Sequence, residues 1–418
     1  MERDVLRHAG LRHVFAHVRG QGARPLRLIA GARRAAALAI AQEVAARLAR
    51  PESLSPAPDR WPDSLARGKL GLVPLYAALD GLAPNSEWDV SGHHILKDGT
   101  FTGPGGTAGL FSGGLAGFGV ATALMGRRAG RYGKVLGRLD AAVRPVAGHD
   151  LIDGTAGAGV YLLMRSPSAG LEAVARELAR GASACPPFPM RRIPPGWSVG
   201  DGYADCGLAH GVAGPLAVLS LLSGQAEEIA RPAVERLAEW LLGAAVRDEW
   251  GTAWPAGVDG AQAYPSPRRA SWCYGVPGVA RALWLAGEAL DEPRYRRAAR
   301  DAMAELLDAP DGWGLDSLGV CHGLAGLMLM TATFTGDGSG AAGGRDEKAA
   351  GAEPGAAGDG FGAAVELLFD RLCAAYDSRL PLGFDVAGPG LLNGAAGIAL
   401  ALLAVTGDLE AASMFLAA

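Results

Sequence analysis

The sequence predicts an all-α protein, an α/α toroid of about seven helical hairpins, and three observations predict it. A short glycine motif recurs seven times. Behind each copy runs a compact apolar stretch of helical length. Between those stretches lie amphipathic segments that keep arginines and acids on one face.

The motif is a glycine, two residues and a second glycine. It reads GKLG (68–71), GLAG (114–117), GTAG (154–157), GVAG (211–214), GVPG (275–278), GLAG (323–326) and GAAG (394–397). A recurring unit of this kind marks a repeat architecture, in which each unit buries its apolar face against its neighbours. Glycine lacks a Cβ, so it lets backbones approach closely where a loop enters a helix. The runs behind the motif include VYLLM (160–164), PLAVLSLL (215–222), VARALWLAGEAL (279–290) and IALALLAV (398–405). Apolar nearly all round, they read as buried helices. The segments between them read as outer helices with one wet face. In PRYRRAARDAMAELLD (293–308), Tyr295, Ala298, Ala302 and Leu306 fall near helical spacing. In AEEIARPAVERLAEWLLGAA (226–245), Val234, Leu237 and Leu241 do the same. One buried and one amphipathic helix per unit is the pattern of stacked hairpins, and a fully apolar inner set favours a closed ring over an open solenoid. A single toroid over residues 61–418 is expected, preceded at 1–60 by a basic arm and a first outer helix.

Three stretches fall outside the repeat. Residues 335–360 are low-complexity and read as a disordered surface loop. Residues 185–206 are rich in proline and glycine and read as an irregular loop over the mouth of the ring. SGHHILKDG reads as a polar loop with His93 and His94 in solvent.

Composition excludes several classes. Hydrophobic residues make up 49% and charged ones 20%, which is globular. A net charge of −4 gives no strong pull toward nucleic acid or an anionic membrane. No uncharged apolar run approaches the roughly 18 residues of a membrane helix, and no secretory signal pattern is present. Five cysteines, an odd number in a long chain, argue against a disulfide framework. Together these features predict a cytoplasmic protein with reduced thiols. Residues 1–50 carry ten arginines against Glu2, Asp4 and Glu43, read as a solvated helix face with a loose arm, or as a docking surface for an acidic peptide.

The chemistry sits just ahead of the glycines. Asp150 lies four residues before Gly154, and His210 directly precedes Gly211. Cys273 stands two before Gly275, while Cys321 and His322 are the two before Gly323. If the repeats are equivalent, these side chains meet on one rim, beside helix N-termini whose free N–H groups favour anions. Zinc takes about four tetrahedral ligands from thiolate sulfur and imidazole nitrogen, and a catalytic site keeps one position open. Cys273, Cys321 and His322 supply three. A lone cysteine is ordinarily a small buried hydrophobe, which is how Cys185, Cys206 and Cys373 read. Cys206 and His210 have i, i+4 spacing, and either could instead complete a closed structural site.

The stretches GLAHGVAGPL, WCYGVPGV, CHGLAGL, HDLIDGTAG and NGAAGIALAL, with PPGW ahead of the histidine motif, resemble the lanthipeptide (lantibiotic) cyclases, the LanC-like family. The resemblance covers roughly residues 60–418, and residues 1–60 match nothing in that family. No interval houses the small inserted domain of some members, which leaves leader recognition unassigned. The resemblance implies an α/α toroid and a zinc held by Cys273, Cys321 and His322. It also matches His210, Asp150 and Arg269 to the family's histidine, acid and arginine. The implied reaction is addition of a peptide cysteine thiol to dehydroalanine or dehydrobutyrine. His210 is then acid/base, Arg269 the enolate stabiliser and Asp150 the residue that orients them. Arg268 could substitute for Arg269, and Asp150 could be only a cap or turn residue. The implied partners are a dehydrated precursor peptide and a separate dehydratase.

Four rival functions compete with this one. One is a related zinc toroid that adds glutathione to dehydrated residues or binds it. A prenyltransferase would need a carboxylate ligand and a diphosphate pocket. A glycosidase would need two opposed carboxylates, such as Asp150 and Asp153, and leaves the cysteines unexplained. The last is a scaffold whose zinc is structural.

Overall fold

The computed structural model describes residues 28–50, 63–84, 86–98, 109–128, 130–165, 168–190, 202–266, 268–335, 356–386, 388–407 and 409–416. Seven inner helices follow the seven glycine motifs: α2 (Val73–Leu82), α4 (Leu115–Gly126), α6 (Thr155–Arg165), α8 (Ala213–Leu222), α10 (Val276–Leu290), α12 (Leu324–Ala332) and α14 (Ala395–Val405). Every residue of α8, α12 and α14 is buried, as their unbroken apolar sequences require. Each inner helix packs on the next, and α14 packs back on α2, so the ring is closed.

Six outer helices pack on the inner helix that precedes them: α3 (Ser86–Asp98), α5 (Gly133–Ala142), α7 (Ser168–Ala182), α9 (Glu227–Ala244), α11 (Pro293–Asp308) and α13 (Ala356–Ala374). The seventh comes from the other end of the chain. Helix α1 (Gly31–Leu48) lies against α14, burying Ala37, Ala41, Val44, Ala45 and Leu48. Ile29 N donates to Val405 O at 3.2 Å alongside it. Two arginines of the basic N-terminal segment fasten this closure. Arg33 reaches Glu366 and Asp370 on α13 at 2.6 and 2.7 Å, and Arg47 donates to the carbonyls of Ser378 and Leu380. The Arg33 pairs are half exposed, so solvent screens them and they add little stability. Most of the basic arm lies outside the described residues.

Each motif's second glycine is a packing requirement. A Cβ on Gly326 would come within 1.9 Å of the Val320 carbonyl oxygen, six residues upstream. On Gly397 it would meet Leu391 O at 1.8 Å. The same contact recurs in the other five motifs, with the carbonyl six residues before the second glycine in four of them and seven before it at Gly117, which faces Leu110 O. The loop folds back on the first turn of its helix, and no side chain fits between them.

The axis of the ring is filled. The chain's last turn, Leu409–Phe415, brings Phe415 against Phe111 and Trp272, with ring centroids 5.9 and 6.1 Å away. Phe111 and Trp272 come from junctions on opposite sides of the ring and meet edge to face at 5.9 Å. Trp272 Nε1 donates to Phe415 O at 3.0 Å, and Arg281 Nε to Leu416 O at 2.9 Å. Phe415→Ala should therefore lower stability by about 3–5 kcal/mol, read from the denaturation midpoint.

Several expectations are corrected in detail. Residues 91–98 of SGHHILKDG lie in the second half of α3 and not in a loop, and His93 Nδ1 pairs with Tyr132 Oη at 2.8 Å. Residues 356–360 begin α13, and the rest of the low-complexity stretch lies outside the described residues, apart from Thr335. The 185–206 stretch contains β1 (Tyr203–Asp205), which pairs antiparallel with β4 (Gly257–Asp259), itself paired with β5 (Gln262–Tyr264). A second hairpin joins β2 (Val246–Asp248) to β3 (Gly251–Ala253). In α11 the buried stripe runs through Tyr295, Ala299, Ala302, Met303 and Leu306, so Ala299 and not Ala298 faces inward. The ring itself is all-α. The strands are confined to insertions before α8 and α10.

Candidate metal centre

The seven junctions meet at one mouth of the ring and are joined by a cycle of main-chain hydrogen bonds. Ala66 N donates to Phe111 O, Phe111 N to Ile152 O, and Leu151 N to Ala209 O, at 3.1, 2.9 and 2.9 Å. Leu208 N then donates to Cys273 O, Cys273 N to Cys321 O, and Cys321 N to Leu392 O, at 2.8, 3.2 and 2.8 Å. Leu392 N returns to Ala66 O at 3.0 Å and closes the circle. Equivalent positions in the motif are therefore equivalent positions around the mouth. The residues directly before the first glycines are Arg67, Gly113, Asp153, His210, Tyr274, His322 and Asn393, in circular order. One position earlier come Cys273 and Cys321.

The helix starts offer less to an anion than their sequence suggests. Thr155, Ala156 and Gly157 donate to the carbonyls of Gly148, His149 and Asp150 at 2.8, 3.2 and 3.3 Å. Leu324, Ala325 and Gly326 donate likewise to Ser317, Leu318 and Gly319 at 3.3, 3.1 and 3.4 Å. The loops satisfy the first-turn donors of their own helices.

Cys273, Cys321 and His322 converge, with one donor atom of each within 4.8 Å of the others. Among the described residues no other three His, Cys, Asp or Glu side chains do so. Cys273 Sγ lies 3.8 Å from Ser271 Oγ. Asp316 stands 3.9 Å from His322 Nε2 and is held by Arg268 at 2.7 Å, which keeps its carboxyl below the usual range. The hydrogen bond from Cys321, aided by His322 and Ser271, favours the Cys273 thiolate against the cost of burial. Cys321, hydrogen-bonded to that thiolate and buried beside it, is pushed up. The pair thus holds one negative charge readily and a second only with a cation between the sulfurs, where coordination deprotonates a thiol outright. Two thiolates and an imidazole are a donor set that suits zinc. Cys185, Cys206 and Cys373 stand apart from the cluster, and burial pushes the Cys206 thiol up.

A second group adjoins the first. His210 Nδ1 lies 3.7 Å from Asp150 Oδ1, with the imidazole 44% exposed at the mouth. The same Asp150 oxygen accepts from Ile152 N and Asp153 N at 2.8 Å, so it shapes the turn and faces the histidine at once. Burial alone would lower the His210 pKa, but the Asp150 carboxylate outweighs it and the imidazole is raised. Burial would raise Asp150, yet His210 and the Asp153 N–H hold it below its ordinary value. His149 Nε2 bonds the His210 carbonyl oxygen at 3.0 Å while its ring stacks on Phe188, and burial lowers its pKa.

Two further residues escaped the sequence reading. The Tyr274 ring sits between the two groups, 6.3 Å from His210, and its hydroxyl hydrogen-bonds Asp205. Asp205 is 3% exposed, accepts from Gly207 N at 2.7 Å, and is pushed up to about 7 by burial. Tyr274 occupies the register position of His210 and His322, which was legible but carries no metal-seeking atom. Arg269 is not brought to either group. Its guanidinium is buried against Asp248 at 2.6 Å and Thr252 O at 2.9 Å, in the β2–β3 hairpin.

Nothing among curated proteins matches the chain significantly. Among solved structures, that of nisin cyclase superposes with a TM-score of 0.66, covering 90% of this chain and 97% of that one at 18% identity. At that identity the likeness is one of fold. No helix among the described residues is long and apolar enough to cross a membrane. The family model described as lanthionine synthetase C-like protein matches residues 59–336, a span that contains both groups at the mouth. The chain belongs to the lanthionine synthetase C-like family.

Proposed function

We propose that the protein is a zinc-dependent cyclase. It adds cysteine thiols of a dehydrated, ribosomally made peptide to dehydroalanine or dehydrobutyrine, closing lanthionine and methyllanthionine rings. One observation carries this reading: the Cys273, Cys321 and His322 donor set and the Asp150–His210 pair stand on neighbouring junctions of one mouth, with Tyr274 between them. Zinc held by those three residues would supply a cation beside which a peptide thiol, ordinarily with a pKa near 8.5, is a thiolate at neutral pH.

The protein's own residues account for the rest. Attack at the β-carbon moves an electron pair toward the amide oxygen, and the α-carbon then needs a proton. His210, whose pKa the Asp150 carboxylate raises, delivers that proton. His149 and Asp150 hold it from the backbone and the ring side. The chemistry requires reduced thiols, which fits a cytoplasmic setting. It also requires a separate dehydratase to prepare the peptide.

The test is a peptide carrying one dehydroalanine and one cysteine, incubated with zinc-loaded protein with and without glutathione. Cyclisation removes the free thiol and leaves the mass unchanged. Addition of glutathione instead adds its mass and leaves the cysteine free, which favours the rival thiol-adding role. No reaction above background in either case rejects both.

A further inference from the structure

Arg268 and Arg269 are neighbours in sequence and part company in space. Arg269 turns inward and clamps the β2–β3 hairpin through Asp248 and Thr252 O. Arg268 joins the next junction of the mouth, at Asp316. Its Nε and one terminal nitrogen both reach the same carboxylate oxygen, Asp316 Oδ2, at 2.8 and 2.7 Å. The other oxygen, Oδ1, faces His322 Nε2 at 3.9 Å.

The main chain brings these side chains together. Ala270 N donates to Trp313 O at 2.9 Å and Cys273 N to Cys321 O at 3.2 Å, so the Arg268 loop lies along the Asp316 loop. Leu324 N donates to Ser317 O at 3.3 Å, which folds the Asp316 loop back on the turn that carries His322. Arg268 thus stands on the junction that gives Cys273, and Asp316 on the one that gives Cys321 and His322.

Stability does not account for the pair. Arg268 and Asp316 are 46% and 48% exposed, so water screens them and they hold the loops only weakly. A guanidinium so close to a cation site is itself unfavourable, since like charges repel. What the pair achieves is to aim a carboxylate at one ring nitrogen of a metal-seeking histidine. A carboxylate there keeps the N–H on the nitrogen it faces, and makes the other nitrogen a fixed and better donor.

We propose that Asp316 is the positioning residue of the metal centre and that Arg268 acts through it. Asp316 takes the N–H of His322 Nε2, which leaves Nδ1 for the ion, and Arg268 holds Asp316 in that pose. At 3.9 Å the contact is electrostatic, and a small turn of either side chain makes it a hydrogen bond. Neither residue supplies a ligand. The proposal rests on the zinc site of the cyclase reading and not on the reaction assigned to it.

Zinc affinity tests this without any peptide. Zinc-depleted wild type and variants are titrated with zinc against a chromogenic chelator at neutral pH, and the thermal unfolding of each is followed in excess chelator. Asp316→Ala should bind zinc about 10–100-fold more weakly, the usual worth of such a partner. Asp316→Asn, which keeps an acceptor but no charge, should fall between that variant and wild type. Arg268→Gln should weaken zinc severalfold, and Arg268→Lys by less. In an Asp316→Ala background Arg268→Gln should no longer weaken it, because nothing is left to hold. Wild-type affinity in both Asp316 variants overturns the proposal. Tighter zinc in Arg268→Gln marks the guanidinium as a repelling charge and removes Arg268, as does an equal loss in both backgrounds. Should Asp316→Ala unfold early in chelator, Asp316→Asn decides alone, being the same shape. A wild type that takes up no zinc ends the zinc reading itself, and the proposal with it.

Discussion

Cys273→Ala, Cys321→Ala and His322→Ala should each fold into an intact ring that retains no zinc, whereas wild type carries about one zinc per chain. Elemental mass spectrometry on freshly prepared protein measures this without any substrate. The fold should survive because the mouth is stitched by main-chain atoms. Cys273 N bonds Cys321 O, and Cys273 O accepts from Leu208 and Ala209, none of which alanine removes. Zinc should go because two remaining donors leave the ion open to solvent and chelators. Ring closure should fall by at least about 10²-fold, since at pH 7 an unassisted thiol is only a few per cent thiolate and is no longer held in place. Cys206→Ala is the control: it lies outside the cluster and should keep its zinc. Absence of zinc from wild type, or its retention in all three variants, sinks the ligand assignment. Loss from Cys206→Ala as well would point to a closed, structural site.

The fold was legible because its signal is a packing requirement repeated seven times. Each second glycine faces a carbonyl six or seven residues upstream, and that constraint shows in a single sequence. The same register made the metal cluster legible, since Cys273, Cys321 and His322 occupy equivalent places before their glycines. What stayed hidden is non-local. That α1 completes the hairpin of α14 depends on contacts between the two ends of the chain. The strands are three residues each, too short for a periodic pattern, and Tyr203 finds its partner only at Asp259. Arg269 stands four residues before a cysteine, but Asp248 in a hairpin insertion determines where its guanidinium goes. Tyr274 stands in the same register and escaped notice because it has no soft donor atom.

His210→Asn should slow ring closure by about 10²–10⁴-fold at neutral pH with zinc retained, the usual contribution of a positioned acid or base. The pH profile identifies how Asp150 contributes. His210 is raised by the Asp150 carboxylate against the lowering effect of burial, so it holds its proton to higher pH than an ordinary imidazole. The rate should therefore fall as pH rises through that raised value. Stability follows the same charges: the pair's contribution is lost above the raised His210 value and also below the depressed Asp150 value, and is present between them. Asp150→Asn separates charge from shape. Asparagine Oδ1 still accepts from Ile152 N and Asp153 N, so the turn is kept while the negative charge is removed. Burial then acts on His210 with less opposition, and the alkaline limb should move to lower pH with zinc content unchanged. A profile for Asp150→Asn that superimposes on wild type would leave Asp150 as a turn residue alone, and His210 would owe its proton to the more distant Asp205 carboxyl instead.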